Sequence, residues 1–118
     1  MLYTSIFLKD KEYKARLTTK AIIELERKLK TNPVNALIEM GREEGKLPNL
    51  EVLLTFLHAS LQSMEHGISL EDTYEIYDEM VEDGKNFTDL LNIIVKVFQD
   101  SGLLPKDEEM VKNAKRGK

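Results

Sequence analysis

The side chains able to do chemistry in this chain are two histidines and twenty-one carboxylates, with no cysteine. His58 and His66 fall on one predicted helix, more than two turns or about 12 Å apart, too far to share a metal ion. No HExxH spacing occurs. His58 reads as a hydrogen-bonded, partly buried residue, and His66 as a helix C-terminal residue favoured by the dipole. Asp78, Glu82, Asp83 and Asp89 invite a calcium loop, but no window sets oxygen ligands at the loop's first, third, fifth and twelfth positions with glycine at the sixth. The six glycines sit scattered at helix ends, so none forms a phosphate-cradling loop, and no serine occupies a GxSxG elbow. No catalytic, cofactor-binding or metal-ligating residue is therefore expected, and the chain reads as non-enzymatic. An enzyme built on the acids would need them to converge, perturbed, in a cleft.

The elements that would hold such residues are legible from caps and periodicity. Residues 2 to 8 and 12 to 18 read as two short strands, the second alternating Tyr13, Ala15 and Leu17 with Glu12, Lys14, Arg16 and Thr18. Lys9 to Lys11 would be the hairpin turn, and a lone hairpin must lean on helices or on another subunit. Thr18 or Thr19 caps a first helix to about Lys30, with Ile22, Leu25 and Leu29 inward. Asn32 and Pro33 start a second, with an apolar side of Val34, Leu37, Ile38 and Met40 as far as Gly45. Beyond Pro48, Asn49 caps a third helix from 50 to about 66, ended by Gly67. The fourth runs from Ser69, in capping-box spacing with Asp72, to Gly84. The fifth runs from Asn86, similarly paired with Asp89, to about Ser101.

The third and fifth helices are apolar around most of their circumference and should be central. The fourth carries seven acids and no base. Leu70, Tyr74, Tyr77 and Val81 make its buried stripe, while Ile76 and Met80 form a second stripe a quarter-turn away that is either more core or a contact for another chain. Tyr3 and Phe7 are candidate subunit contacts on the first strand. The fold class is mainly α (α+β): one domain over residues 1 to 104, with five helices and a short N-terminal β-hairpin at about 2 to 18, followed by a flexible charged tail at 105 to 118.

Charge is segregated along the chain. Residues 1 to 30 carry a net +4, residues 31 to 105 a net −10 and residues 106 to 118 a net +2, for −4 in all. The acidic middle argues against nucleic acid as the main ligand. The opposite-sign segments either meet across a subunit boundary or are separately solvated. The richest apolar stretches, 50 to 61 and 90 to 98, are too short to span a membrane, and the lack of leader and cysteine fits a reducing cytoplasm.

The segments KEYKARLTTKAIIELERKLKTNPVNALIEM, LPNLEVLLTFLHASLQSMEHGISLEDTYEIYDEMVEDG and FTDLLNIIVKVFQDSGLL together resemble the tail assembly chaperones of long-tailed, non-contractile phages and prophages of Gram-positive bacteria. The resemblance covers residues 11 to 104 and rests on the order of helix starts, the RLTT turn at 16 to 19, the NP at 32 and 33, and the HGISLED run. It implies a small helical protein of the bacterial host cytoplasm, absent from the mature virion. Such a protein binds and solubilises the tape-measure protein and helps recruit tail-tube subunits, self-associating as a homo-oligomer and using no cofactor. Client binding would fall to Ile76 and Met80. The family commonly makes a longer product by programmed ribosomal frameshifting. Val111-Lys112-Asn113 can be encoded GTA-AAA-AAC, which contains a slippery heptamer. The alternative reading is a small helical adaptor or regulatory protein-binding module of a prophage.

Overall fold

Side chains that bond to nearby backbone set the helix limits. In the computed structural model, which describes residues 2–42, 49–65 and 67–106 (backbone alone for 39–42), Thr18 accepts from the Ala21 N–H and starts α1 (Thr19–Leu29). Pro33 opens α2 (Pro33–Arg42), where the Asn32 side chain accepts from the Asn35 N–H. Asn49 accepts from the Glu51 N–H at the start of α3 (Leu50–Leu61). The capping boxes predicted for α4 (Leu70–Glu82) and α5 (Phe87–Asp100) are both formed, by Ser69 with Asp72 and by Asn86 with Asp89. Each box satisfies two backbone N–H groups that the helix itself leaves free.

The ends of α4 and α5 share one solution. Gly84 takes φ +87°, letting the Lys85 N–H reach the Met80 carbonyl and its own N–H reach that of Val81. Gly102 does the same with Phe98 and Gln99, a reciprocal closure that needs the left-handed conformation glycine adopts without strain.

The strands are β1 (Thr4–Leu8) and β2 (Lys11–Ala15), paired antiparallel from Thr4↔Ala15 to Leu8↔Lys11. Their connection is two residues, Lys9 and Asp10, shorter than the predicted turn, with Lys9 at φ +53°. Thr4, Ile6 and Leu8 of β1, with Tyr13, Ala15 and Leu17 on the second limb, face the core, as the alternation predicts. Residues 16 to 18, expected to continue the strand, instead cross to the helices: the Arg16 N–H bonds the Ser60 carbonyl at 2.7 Å and the Leu17 N–H bonds Ser101 Oγ at 2.9 Å.

That crossing explains why α3 stops at Leu61, short of the predicted 66. Ser60's carbonyl is taken by Arg16, so the Met64 N–H turns to Leu61, as does that of Glu65. The Gln62 side-chain amide donates to the His58 carbonyl and to that of Ile68. The hairpin thus supplies part of α3's C-terminal cap.

α3 and α5 are the central elements, as expected. Leu53, Phe56, Leu57 and Leu61 of the one and Leu90, Ile94, Val97 and Phe98 of the other are fully buried. Phe56 and Phe98 meet edge-on, ring centroids 5.2 Å apart, a geometry favoured by the ring quadrupoles. α4 packs on α3, α1 on α2 and α3, β1 on α5 and β2 on α3. The architecture is the predicted five helices with a two-stranded N-terminal hairpin.

The orientation of α4 differs from the prediction. Its buried residues are Thr73, Ile76 and Met80, whereas Tyr74 is 43% and Val81 52% exposed. Two stripes about a quarter-turn apart competed for the core. The face with fewer apolar residues won because Thr73 joins it, its hydroxyl donating to the Leu70 carbonyl one turn back. The phenol of Tyr74 tolerates the wetter position, and Tyr77 stays half-buried against the core. The predicted end of α2 at Gly45, the loop at Pro48, His66, and most of the 105–118 tail with Val111-Lys112-Asn113 lie outside the described residues.

Candidate functional site

Ile76 and Met80 cannot contact a client directly. They are 5% and 0% exposed and belong to the main core cluster, so the protein-binding role first given to them is corrected to a structural one. Their burial follows from the rotation of α4 described above. Of the four side chains first assigned to the core stripe of α4, Tyr74 and Val81 turn outward, while Leu70 and Tyr77 are half-buried. Tyr74 and half-buried Tyr77, with Asp78, meet Leu50, Glu51 and Leu54 of α3 around a shallow depression of about 260 Å3, and exposed Val81 lies one turn beyond Tyr77. Exposed Glu75 and Glu82 lie near it on the same helix. An apolar, aromatic strip edged by carboxylates is suited to receive an amphipathic helix whose apolar stripe is flanked by bases.

Tyr3 and Phe7 are brought together on the outer face of the hairpin, with Ser5 between them. Phe7 is 65% exposed, and Leu2 is also largely exposed. The Lys14 amino group sits 5.0 Å from the centre of the Tyr3 ring, a cation–π contact, and the Ser5 hydroxyl donates to the Glu12 carboxylate at 2.6 Å.

The hairpin turn lies close enough to the end of α4 for their charges to act on one another within one chain. Lys9, through its charge and its backbone N–H, acts on Asp83 at the end of α4, and Lys11 lies within the field of Glu79. Asp83 is held below the usual carboxylate range, first by the hydrogen bond from Lys85 at 2.7 Å and the charge of that lysine, with Lys9 adding to it. Lys11 is raised above the ordinary lysine value, chiefly by its hydrogen bond to Tyr13, with Glu79 and Asp10 contributing. Both groups are at the surface and neither lies in a cleft.

His58 is half-buried, as predicted, and lines an open cleft of about 500 Å3 between α1 and α3 together with Lys20, Glu24, Lys28, Thr55 and Gln62. The two signs of charge there do not converge on a nucleophile or base. Among the described residues no three histidines or carboxylates are grouped to hold a metal ion, no buried side-chain polar atom lacks a hydrogen-bond partner, and no helix is long and apolar enough to cross a membrane.

A family of unknown function, DUF6096, matches residues 3–117, covering both the hairpin and all five helices. The chain belongs to the DUF6096 family. No curated protein and no solved structure matches it. For this DUF6096 chain the features that distinguish a surface able to bind are the α3/α4 strip and the outer face of the hairpin. Sequence reasoning named Tyr3 and Phe7 on the first strand, and both stand on its exposed face. It missed Tyr74 and Val81 as surface residues, and the one available signal was Thr73, a small side chain that can return its hydrogen bond to its own helix.

Proposed function

We propose that this protein is a tail assembly chaperone of a long-tailed, non-contractile phage or prophage, acting in the bacterial host cytoplasm and absent from the finished virion. It binds and solubilises the tape-measure protein and helps recruit tail-tube subunits. The observation that supports this reading is the pair of exposed residues Tyr74 and Val81, with half-buried Tyr77 between them and Leu50 beside them, an apolar strip rimmed by carboxylates. The resemblance of residues 11 to 104 names the client. A tape-measure protein is a long helix, and a chaperone of such a client needs a surface that covers its apolar stripe and prevents aggregation.

The reading includes a longer form made by frameshifting at Val111-Lys112-Asn113, which the codons of the gene test directly: the heptamer is present there or it is not. For client binding the experiment is co-expression with a phage tape-measure protein. The wild-type chaperone keeps the client in the soluble fraction and co-purifies with it. The double substitution Tyr74→Lys and Val81→Lys, on exposed positions, abolishes both while leaving helicity unchanged. A client equally soluble with the variant, or insoluble with both proteins, overturns the proposal. The adaptor alternative places the ligand in the α1/α3 cleft, so loss of binding on Lys28→Glu with retention in the α4 variant would favour it.

A further inference from the structure

We propose that β1 pairs antiparallel with β1 of a second copy about a two-fold axis through Ser5, making a continuous four-stranded sheet. The two edges of the hairpin are treated differently. On β2, the N–H groups of Lys14 and Arg16 point away from β1 and are bonded, to the Glu65 carboxylate at 3.1 Å and to the Ser60 carbonyl at 2.7 Å. The register pairs Lys14 with Ser5 and Glu12 with Phe7, and one step further Arg16 with Tyr3. Tyr3, Ser5 and Phe7 therefore turn their own N–H and carbonyl groups outward from β1. Among the described residues, no hydrogen bond reaches them.

An open edge is normally blunted by charge, proline or a bulge. The strand TSIFL has no charge or proline and its register with β2 is unbroken. Its self-pairing is specific, since only odd-numbered residues offer outward backbone groups. Centring on Ser5 uses all three of them: Ser5 bonds Ser5 of the second copy, and Tyr3 bonds its Phe7. On the exposed face this sets Phe7 directly beside the other Tyr3, an aromatic cross-strand pair. Each aromatic pair is flanked by Glu12 on one outer strand and Arg16 on the other, while the central Ser5 row is flanked by the two Lys14 side chains, held three strand spacings or about 14 Å apart. A two-stranded sheet is marginal alone and gains by extension. The contact is one strand wide, which places the expected dissociation constant on the order of 10–100 µM.

The full chain is examined by sedimentation equilibrium from about 1 to 500 µM at low and high salt. A dimer is expected at the upper end, and it should persist at high salt because backbone and aromatic contacts hold it. Ser5→Pro removes an N–H that the hairpin itself does not use, and proline is accepted on an edge strand. It should raise the dissociation constant about 30-fold, two backbone bonds being lost per dimer at roughly fivefold each. Phe7→Lys gives a second reading, placing a charge on the edge without touching its backbone. Ser5→Cys, in a chain with no other thiol, tests the register. Paired residues at this position have Cα atoms about 5.5 Å apart, within the disulfide range, so oxidised glutathione should link the copies, being itself reduced. Tyr3→Cys, roughly 13 Å from its own copy, should not be linked. A monomer at every concentration, a dimer indifferent to Ser5→Pro and Phe7→Lys, or equal linking of the two cysteine variants overturns the proposal.

Discussion

Met80 and Val81 are neighbours in sequence with opposite fates, and substituting each tests the orientation of α4. Met80 is 0% exposed in the central cluster, while Val81 stands half in solvent. Met80→Ala removes a buried side chain and leaves a cavity that the surrounding helices fill only in part, a loss of about 3 kcal/mol within the roughly 2–5 kcal/mol range for such changes. Against a total of about 5–15 kcal/mol for a domain of this kind, that is a large fraction. Val81→Lys alters an exposed position on a helix already rich in carboxylates and should stay within about 0.5 kcal/mol of wild type. Urea unfolding followed by far-ultraviolet circular dichroism reads both. With a slope of roughly 1.5 kcal/mol per molar urea, Met80→Ala should lower the midpoint by about 2 M and Val81→Lys by less than about 0.4 M. Equal midpoints for the two variants, or the reverse order, would refute the rotation of α4 and return Ile76 and Met80 to the surface.

Two further expectations rest on local chemistry. Ser69→Ala removes the side chain that accepts from the Asp72 N–H and should cost about 1 kcal/mol in the same urea assay; a midpoint unchanged within error would show that the box contributes nothing. The Asp83 carboxyl, lowered by Lys85 from its ordinary 3.8, should titrate higher in Lys85→Met by carboxyl-detected NMR. Because the folded-state pKa is the depressed one, the pair's stabilisation is present above 3.8 and disappears as pH falls through the folded value. Wild type and Lys85→Met should therefore differ at neutral pH and converge in acid, and a difference that persists in acid would assign the effect to packing of the lysine stem.

Much of the fold was legible because its signals are local. Ser69 with Asp72, Asn86 with Asp89, and Thr18 with Ala21 are bonds within three residues, so the helix starts were decided before any tertiary contact. The alternation of Tyr13, Ala15 and Leu17 assigned the inner face of the hairpin. α3 and α5 were recognisable as central because apolar residues leave them little polar surface to expose. Of the candidate contacts, Tyr3 and Phe7 were named only by their place on the first strand, and the pairing of that strand with β2 puts both on its outer face.

Three features were decided only when the elements came together. α4 has two apolar stripes, and its sequence ranks them by count; packing on α3 ranked them by fit, with Thr73 admitted because its hydroxyl is satisfied by Leu70. The end of α3 was set by Arg16, more than forty residues away in sequence, whose N–H takes the Ser60 carbonyl. The same bond covers the β2 edge and leaves the β1 edge open. Periodicity and capping are properties of a single segment and are written in its residues. The choice between two apolar faces, the length of a helix whose last carbonyl is claimed by another strand, and the sheet edge left unpaired depend on distant partners, and only the folded chain supplies those.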